Sequence, residues 1–496
     1  MNLAQNLEQA ARFFPDRPVV WEDDRQLTYA ALDEMAGRAA AGLRSLGLGP
    51  GDRVALCAPN SGSWLALYFG ALKLGAAAVC LSALLSPQEL ELLVSHSRPR
   101  AILAGPERLE QLQGLKAASG LQTIICPGGD LDFPRLLSLA EAPLAAMERQ
   151  RDDLAAVLYT GGTTGLPKGV MLTHENIQSA VQTVARMERS TEDDVALCFL
   201  PFNHVFGQVH IMNATIFSAG GLVLMPGFDL EQALEAIAQQ GVTKLYAVPT
   251  IYVRLLQVPE LKRRLGQVRY CFSAAASMAR ELVERWRQTT GLTIHEAYGM
   301  TETASMVTYN HYYRHKPGSV GSAAGGAEVA ILDPQGRPVP AGEEGEICIR
   351  GRNVMAGYLD NPQATRDAFY GAWLRSGDIG CLDQEGYLFI VDRLKDLIIT
   401  GGENVYPREV EEVIHAHPEV AECAVIGRPD PEYGERVTAY LVPKSEPGPS
   451  PEALKAFCKA RLSPYKVPKE FVLMDRLPTS PAGKILKREL RRMVTG

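Results

Sequence analysis

Through about its first 300 residues the chain alternates short apolar runs with longer amphipathic stretches, and no other feature narrows its fold as much. Residues 54–58, 78–81, 101–104, 123–126, 195–200, 222–225, 244–248 and 270–272 are short and largely apolar on both faces, which marks strands buried on both sides. Between them, 87–95, 175–187, 230–239 and 279–289 carry helical periodicity. Strand and helix in alternation imply an α/β fold, with parallel sheets flanked by helices on both faces. From about residue 328 the pattern changes to strands at 329–332 and 346–350 around the turn Asp333-Pro334-Gln335-Gly336, a β-rich subdomain on the α/β body. After Asp392 a compact α+β unit begins: a helix at 407–415, strands at 423–426 and 438–442, a linker at 444–451, a helix to Leu462, then a last strand and helix.

At 496 residues the chain exceeds what one hydrophobic core serves. The expected division is an N-terminal domain over 1–392, a hinge at 393–396 where Asp and Lys punctuate two apolar runs, and a C-terminal domain over 397–496. A net charge of −7, with no basic tract interleaved with aromatics, argues against nucleic acid as a partner. The opening residues lack a basic stretch followed by an apolar one, so no secretory signal is read and a cytoplasmic protein is expected. Residues 66–85 are long and apolar enough to raise a membrane span, but Lys73, Gly70 and Gly75 interrupt them; a buried helix running into a buried strand fits better. Nine scattered cysteines without a CxxC pair indicate neither disulfides nor a zinc site, and none is assigned to catalysis.

Chemistry concentrates in a few segments. Directly after the apolar run 155–159 comes Thr160-Gly161-Gly162-Thr163-Thr164-Gly165-Leu166-Pro167-Lys168-Gly169. Glycines let backbone N–H groups approach an anion, threonines add hydroxyl donors and Lys168 adds a compact charge, a composition suited to polyphosphate. It is no Walker A loop, because no Gly-Lys-Ser/Thr triplet closes it; the plain alternative is a surface turn. A second segment, Tyr298-Gly299-Met300-Thr301-Glu302-Thr303, reads as a turn at the carboxyl end of a strand at 293–297, where open α/β sheets take ligands. There Tyr298 can stack on a purine, Thr301 can donate to phosphate and Glu302 can hold magnesium. In Ser376-Gly377-Asp378-Ile379-Gly380 the carboxylate can accept from two ribose hydroxyls. Asp392-Arg393-Leu394-Lys395-Asp396 leads through an apolar run to Gly401-Gly402-Glu403-Asn404, and Lys484 lies in a Pro/Gly-rich stretch near the end. Lys487, Arg488, Arg491 and Arg492 read as a solvated helix face.

In this order the segments resemble the adenylate-forming superfamily of acyl-CoA synthetases, aryl-CoA ligases, peptide-synthetase adenylation domains and luciferases, and in particular bacterial fatty acyl-CoA ligases. The resemblance spans nearly the whole chain and extends to Gly357-Tyr358-Leu359-Asp360-Asn361-Pro362-Gln363-Ala364-Thr365 and to Pro201-Phe202-Asn203-His204-Val205-Phe206-Gly207. It implies a large N-terminal domain of several subdomains and a small mobile C-terminal lid. It further implies that Thr160 to Lys168 cover the β- and γ-phosphates of ATP, Tyr298 and Gly299 pack on adenine, and Thr301 and Glu302 serve the α-phosphate and Mg2+. Asp378 and Arg393 would hold the ribose, Lys395 would occupy the hinge, Lys484 would be the catalytic lysine of adenylation, and Gly401, Gly402 and Glu403 would line the coenzyme A tunnel after the small domain rotates. The resemblance implies that His204 borders the acyl pocket and is expected to gate it; the plain alternative is a capping or core histidine.

For the acid, the Phe202 to Gly207 block offers no aspartate for an α-ammonium group, which disfavours an amino acid. Gly161 is familiar in the fatty acyl-CoA ligases, and the small residues Ala274, Ala275, Ala276 and Ser277 either leave an apolar channel or only let the backbone approach adenine. A medium- or long-chain fatty acid is expected first, and an aromatic acid of the benzoate or cinnamate type second. A third reading is a stand-alone acyl-adenylating protein that loads a carrier-protein thiol; no insertion precedes the small domain, which favours coenzyme A. A non-catalytic nucleotide-binding protein is opposed by the joint presence of Lys484, Glu302 and Asp378. Partners are then the acid, ATP and coenzyme A, with peripheral membrane contact for a long-chain substrate and a homodimer left open.

Overall fold

The computed structural model describes residues 1–160, 167–274, 278, 280–311, 313–393, 396–400, 403–430, 433–479 and 485–493, with the backbone alone for Arg393 and Asn404. Among these, the strands gather into four sheets. In the first, the parallel strands Ala77–Cys80, Arg53–Cys57, Ala101–Ala104 and Thr123–Ile125 lie side by side with Leu154–Thr160, all within two residues of the positions read from the sequence where these were expected. The second has Val195–Cys198, Gly221–Leu224, Lys244–Ala247, Tyr270–Ser273 and Ile294–Met300 in parallel, joined by Pro18–Glu22.

The run at 66–85 is a helix, Gly62–Leu74, followed by the strand Ala77–Cys80. Ser61 caps the helix by accepting from the Trp64 N–H, and Gly75 ends it in the left-handed region at φ +81°. Gly70, which breaks the apolar run in the sequence, is where the Tyr29–Ser45 helix crosses. A Cβ there would lie 2.8 Å from that of Ala39 and 2.9 Å from the Ala36 carbonyl oxygen. Lys73, 2% exposed, is neutralised by Glu8 and Asp33, each at 2.8 Å. No helix among the described residues is long and apolar enough to cross a membrane.

The β-rich part is an antiparallel sheet of Glu328–Leu332, Gly345–Arg350, Trp373–Leu382, Phe369–Tyr370 and Leu388–Arg393. The C-terminal part has a core of its own, in which Ile398, Val410, Ile414, Val425, Val437 and Leu454 close between its sheet and the helices Pro407–His415 and Pro451–Lys459.

Two expectations need correction. Strand and helix do not alternate strictly, because Lys168–Thr173 returns antiparallel to Leu154–Thr160, and Gly357–Tyr358 pairs antiparallel on its other side. The Tyr298 segment is also not a turn after Ala297. Its strand continues through Met300 and pairs antiparallel with Ser305–Tyr309, leaving only Thr301–Thr303 as the turn. Period alone cannot separate a buried strand that continues from one that stops.

Candidate active site

The glycine-rich segment joins two strands rather than a strand to a helix, with Thr160 opposite Lys168 across the hairpin. Gly161, Gly162, Thr163, Thr164 and Gly165 lie outside the described residues. Lys168 projects toward Tyr358, its Nζ 4.8 Å from the ring centroid. Tyr358 is held there by backbone: it pairs with Val170, the Leu359 N–H donates to the Gly169 carbonyl at 2.8 Å, and the Tyr358 N–H donates to Thr365 Oγ1 at 2.9 Å. Gly357 makes this possible. At φ +143° a Cβ would stand 2.8 Å from Thr365 Cγ2.

The Tyr358 hydroxyl donates to Glu302 Oε1 at 2.9 Å. Glu302 sits in the short Thr301–Thr303 turn, 7% exposed, with its carbonyl accepting from the Met355 N–H at 2.8 Å. Burial raises its carboxyl above the usual range, against the lowering influence of its own N–H, the Tyr358 hydroxyl and the Lys168 charge; Asp378 adds to the rise. Thr303 fixes the turn, accepting from the Met300 N–H at 3.0 Å and donating to the Ser305 carbonyl at 2.7 Å. Thr301 is buried beside it.

Two residues before the turn, the Tyr298 hydroxyl donates to Asp378 Oδ2 at 2.6 Å. Asp378 lies directly opposite Arg393 in the antiparallel pair of Trp373–Leu382 and Leu388–Arg393, so two residues read separately from the sequence share one rung. Gly299 serves the strand pairing: a Cβ would meet the Ser305 carbonyl oxygen at 2.0 Å. The structure thus brings together Thr160, Lys168, Tyr298, Thr301, Glu302 and Asp378, with the backbone of Arg393. His204 makes a contact elsewhere, at the start of a helix. Its Nδ1 accepts from the Phe206 N–H at 3.2 Å at the start of the π-helix Phe206–Asn213. Glu403 is exposed on the strand Glu403–Val405. Lys395, Gly401, Gly402 and Lys484 lie outside the described residues, as do Ala275, Ala276 and Ser277; Ala274 is buried.

Tyr358 and Thr303 were not expected as site residues. Tyr358 had only its place in the Gly-Tyr block as a signal, and Thr303 none beyond its hydroxyl. The basic C-terminal helix, Lys487–Arg492, is only half solvated. Arg488 and Arg492 are 54% and 70% exposed, but Lys487 is 18% exposed with Nζ 2.8 Å from Glu411 Oε1, and Arg491 reaches Asp396 at 3.0 Å. Burial alone would lower the Lys487 ammonium; Glu411, Asp392 and Asp396 carry it above the usual range.

Residues 7–359 match the AMP-binding enzyme family, and residues 409–484 match the AMP-binding enzyme C-terminal domain. The chain is an AMP-binding enzyme. It is 37% identical over 485 residues to a feruloyl-CoA synthase of Amycolatopsis sp, covering 97% of both chains. To the long-chain-fatty-acid–CoA ligase of Bacillus subtilis (strain 168) it is 34% identical, over 98% of this chain and 93% of the relative. The crystal structure of ATP-bound MatB from Rhodopseudomonas palustris superposes with a TM-score of 0.93 at 35% identity, covering 99% of each chain. The enzyme is an AMP-forming acyl- or aryl-CoA synthetase, an acid–thiol ligase.

Proposed function

We propose that the enzyme adenylates an aromatic carboxylic acid with ATP and transfers the acyl group to coenzyme A, releasing pyrophosphate and AMP. The observation that carries the reaction is the assembly of Lys168, Tyr358 and Glu302 against the Tyr298–Asp378 pair. A carboxylate attacking an α-phosphate meets charge repulsion, so the site must neutralise phosphate and hold nucleophile and leaving group in line. Lys168 and the loop Gly161 to Gly165 restrain the departing pyrophosphate. Tyr298 covers the adenine, while Asp378 accepts from the ribose hydroxyls with Arg393 across the rung. Lys484 brings a positive charge to the α-phosphate and the acid's carboxylate.

A single buried carboxylate on a tyrosine hydroxyl fits magnesium, a hard cation that takes one or two carboxylates and completes its shell with phosphate oxygens. When bound, the ion neutralises phosphate charge, and Glu302 would hold it with Thr301 alongside. For the second half-reaction the C-terminal domain turns about 393–396, Lys395 included, and presents Gly401, Gly402 and Glu403 to the pantetheine arm. The nucleophile is the coenzyme A thiol, so no cysteine is required of the chain.

The acid is where the reading departs from the fatty acid expected first. Identities of 37% to a feruloyl-CoA synthase and 34% to a long-chain-fatty-acid–CoA ligase do not separate the classes. What supports an aromatic acid is the ring-rich packing of Phe206, Tyr246, Phe272 and Tyr309 around the carboxyl ends of the strands Lys244–Ala247 and Tyr270–Ser273. His204, just before the helix that carries Phe206, takes the role of bordering the acyl group in this reading. A pyrophosphate-release screen over straight-chain, benzoic and cinnamic acids with coenzyme A tests both parts: turnover confined to straight-chain acids rejects the aromatic class, and turnover with no acid rejects the ligase reading.

A further inference from the structure

The segment Pro201-Phe202-Asn203-His204 follows the strand Val195–Cys198, and its backbone is held by side chains that come from the other parallel sheet. Asn60 Oδ1 accepts from the Phe202 N–H and Asn60 Nδ2 donates to the Leu200 carbonyl, both at 2.9 Å. Pro201, between them, has no N–H to offer, so one amide side chain takes the polar groups on either side of it, as a neighbouring strand would. Asn60 lies three residues beyond the strand Arg53–Cys57, and Leu200 lies two beyond Val195–Cys198. This bridge therefore joins the two sheets at the carboxyl ends of their strands, where such sheets take ligands.

Other contacts fix the same stretch. Gln208, fully buried in the helix Phe206–Asn213, donates from Nε2 to the Phe202 carbonyl and to Cys80 Sγ, each at 2.9 Å, and Cys80 ends the strand Ala77–Cys80 of the first sheet. The His204 N–H donates to the Pro201 carbonyl at 3.1 Å. Gly207 leaves room for this turn: a Cβ there would stand 2.4 Å from the Pro201 carbonyl oxygen and 2.7 Å from that of Leu200. The Trp64 ring, in the first turn of Gly62–Leu74, lies 5.0 Å from that of Phe202, which is 1% exposed. Asn60 has little freedom of its own, set between Pro59 and Ser61, the cap of that helix. The contacts of Lys168, Glu302 and Asp378, by contrast, run through Tyr358 and Tyr298.

We infer that Asn60 is a positioning residue for the acid: it fixes the backbone from which His204 borders the acyl group, and it acts on the acid side of the site rather than the nucleotide side. This rests on the bordering role given to His204 above. Two hydrogen bonds set where the stretch lies, while the Trp64–Phe202 contact keeps it buried, so losing the amide loosens the place of His204 and leaves the packing beneath it. A misplacement of about 1 Å at a group that orients a reactant costs up to about 100-fold, whereas ATP binding depends on other contacts. Aspartate does not replace asparagine here, because it keeps the acceptor for Phe202 but sets a carboxylate oxygen against the Leu200 carbonyl.

The test is a double-mutant cycle on Asn60→Ala and His204→Ala. It is read as kcat/KM for cinnamate, or for whichever acid the pyrophosphate-release screen finds best used, beside the dissociation constant for ATP measured by calorimetry without acid. Asn60→Ala should lower kcat/KM for the acid about 10- to 100-fold and leave ATP binding within about twofold. In the His204→Ala background the same change should cost no more than about threefold, since the residue it positions is gone. Asn60→Asp should behave as Asn60→Ala does, and it carries the comparison if the alanine variant fails to fold. Full and additive losses in both backgrounds overturn the inference, as does an unchanged kcat/KM in Asn60→Ala. Equal weakening of acid use and ATP binding, the mark of a general structural role, overturns it as well. Two separate results strike the readings beneath it. His204→Ala with undiminished use of the acid removes the bordering role of His204, and absence of pyrophosphate release with every acid of the screen removes the ligase reading; either takes this inference with it.

Discussion

Glu296 supplies a test in which the magnitude follows from one buried group. It lies on the strand Ile294–Met300, 5% exposed, with Oε2 lacking any hydrogen-bond partner. Burial pushes its carboxyl from 4.5 up to about 8, with Arg408 drawing it down and Glu412 pushing it up. Because the folded value lies above the unfolded one, the folded state binds the extra proton between them. The contribution to stability is whole below 4.5 and is lost as the pH rises through 8. At pH 7 the group is 2.5 units above its unfolded value, and at about 1.4 kcal/mol per unit this amounts to roughly 3 kcal/mol. Glu296→Gln keeps the shape of the protonated acid and carries no charge. Urea denaturation of wild type and variant from pH 4.5 to 9 should give curves that coincide at the acid end and separate progressively, the variant being more stable by about 3 kcal/mol at pH 7. A gap of constant size across that range would refute the reasoning, since it would mean that packing, not proton binding, separates the two proteins.

Other perturbations act on the site itself. Lys484→Ala should abolish acyl-AMP formation and spare thioester formation from supplied acyl-AMP; equal loss of both half-reactions, each followed separately, would contradict its role. Tyr358→Phe removes the hydroxyl that donates to Glu302, and the loss of a hydrogen bond to a charged group should lower kcat/KM for MgATP about 10- to 100-fold, measured by pyrophosphate release; an unchanged value would remove Tyr358 from the site. Gly299→Ala drives a methyl to 2.0 Å from the Ser305 carbonyl, so the melting temperature should fall together with nucleotide affinity, by about 1–3 kcal/mol of stability.

The parallel strands were legible in the sequence because burial on both faces leaves an uninterrupted apolar run, as at 101–104 and 195–198. Strands whose pairing depends on distant chain were not. Lys168–Thr173 and Gly357–Tyr358 become strands by pairing with each other and with Leu154–Thr160, information absent from any local window. Candidate site residues of distinctive chemistry, such as Glu302 and Asp378, stood out through their glycine and threonine neighbours. Tyr358 did not, since an apolar ring under a lysine looks like core until Glu302 is set beside it. The Lys487 charge looked solvated for the opposite reason: its partner Glu411 is remote in sequence and meets it only in the folded C-terminal domain.

The pairing of Gly357–Tyr358 with Lys168–Thr173 also sets a timetable for biosynthesis. The strand that seals this edge of the first sheet is made 185 positions after Thr173, so at 5–20 residues per second the hairpin waits roughly 10–40 s on the ribosome with its outer N–H and C=O groups unpaired. An open edge of that kind is a template for pairing with other chains. The candidate nucleotide site is therefore among the last parts of the large domain to close, and a nascent chain stopped before residue 357 would hold most of the sheet while lacking both the seal and the tyrosine that donates to Glu302.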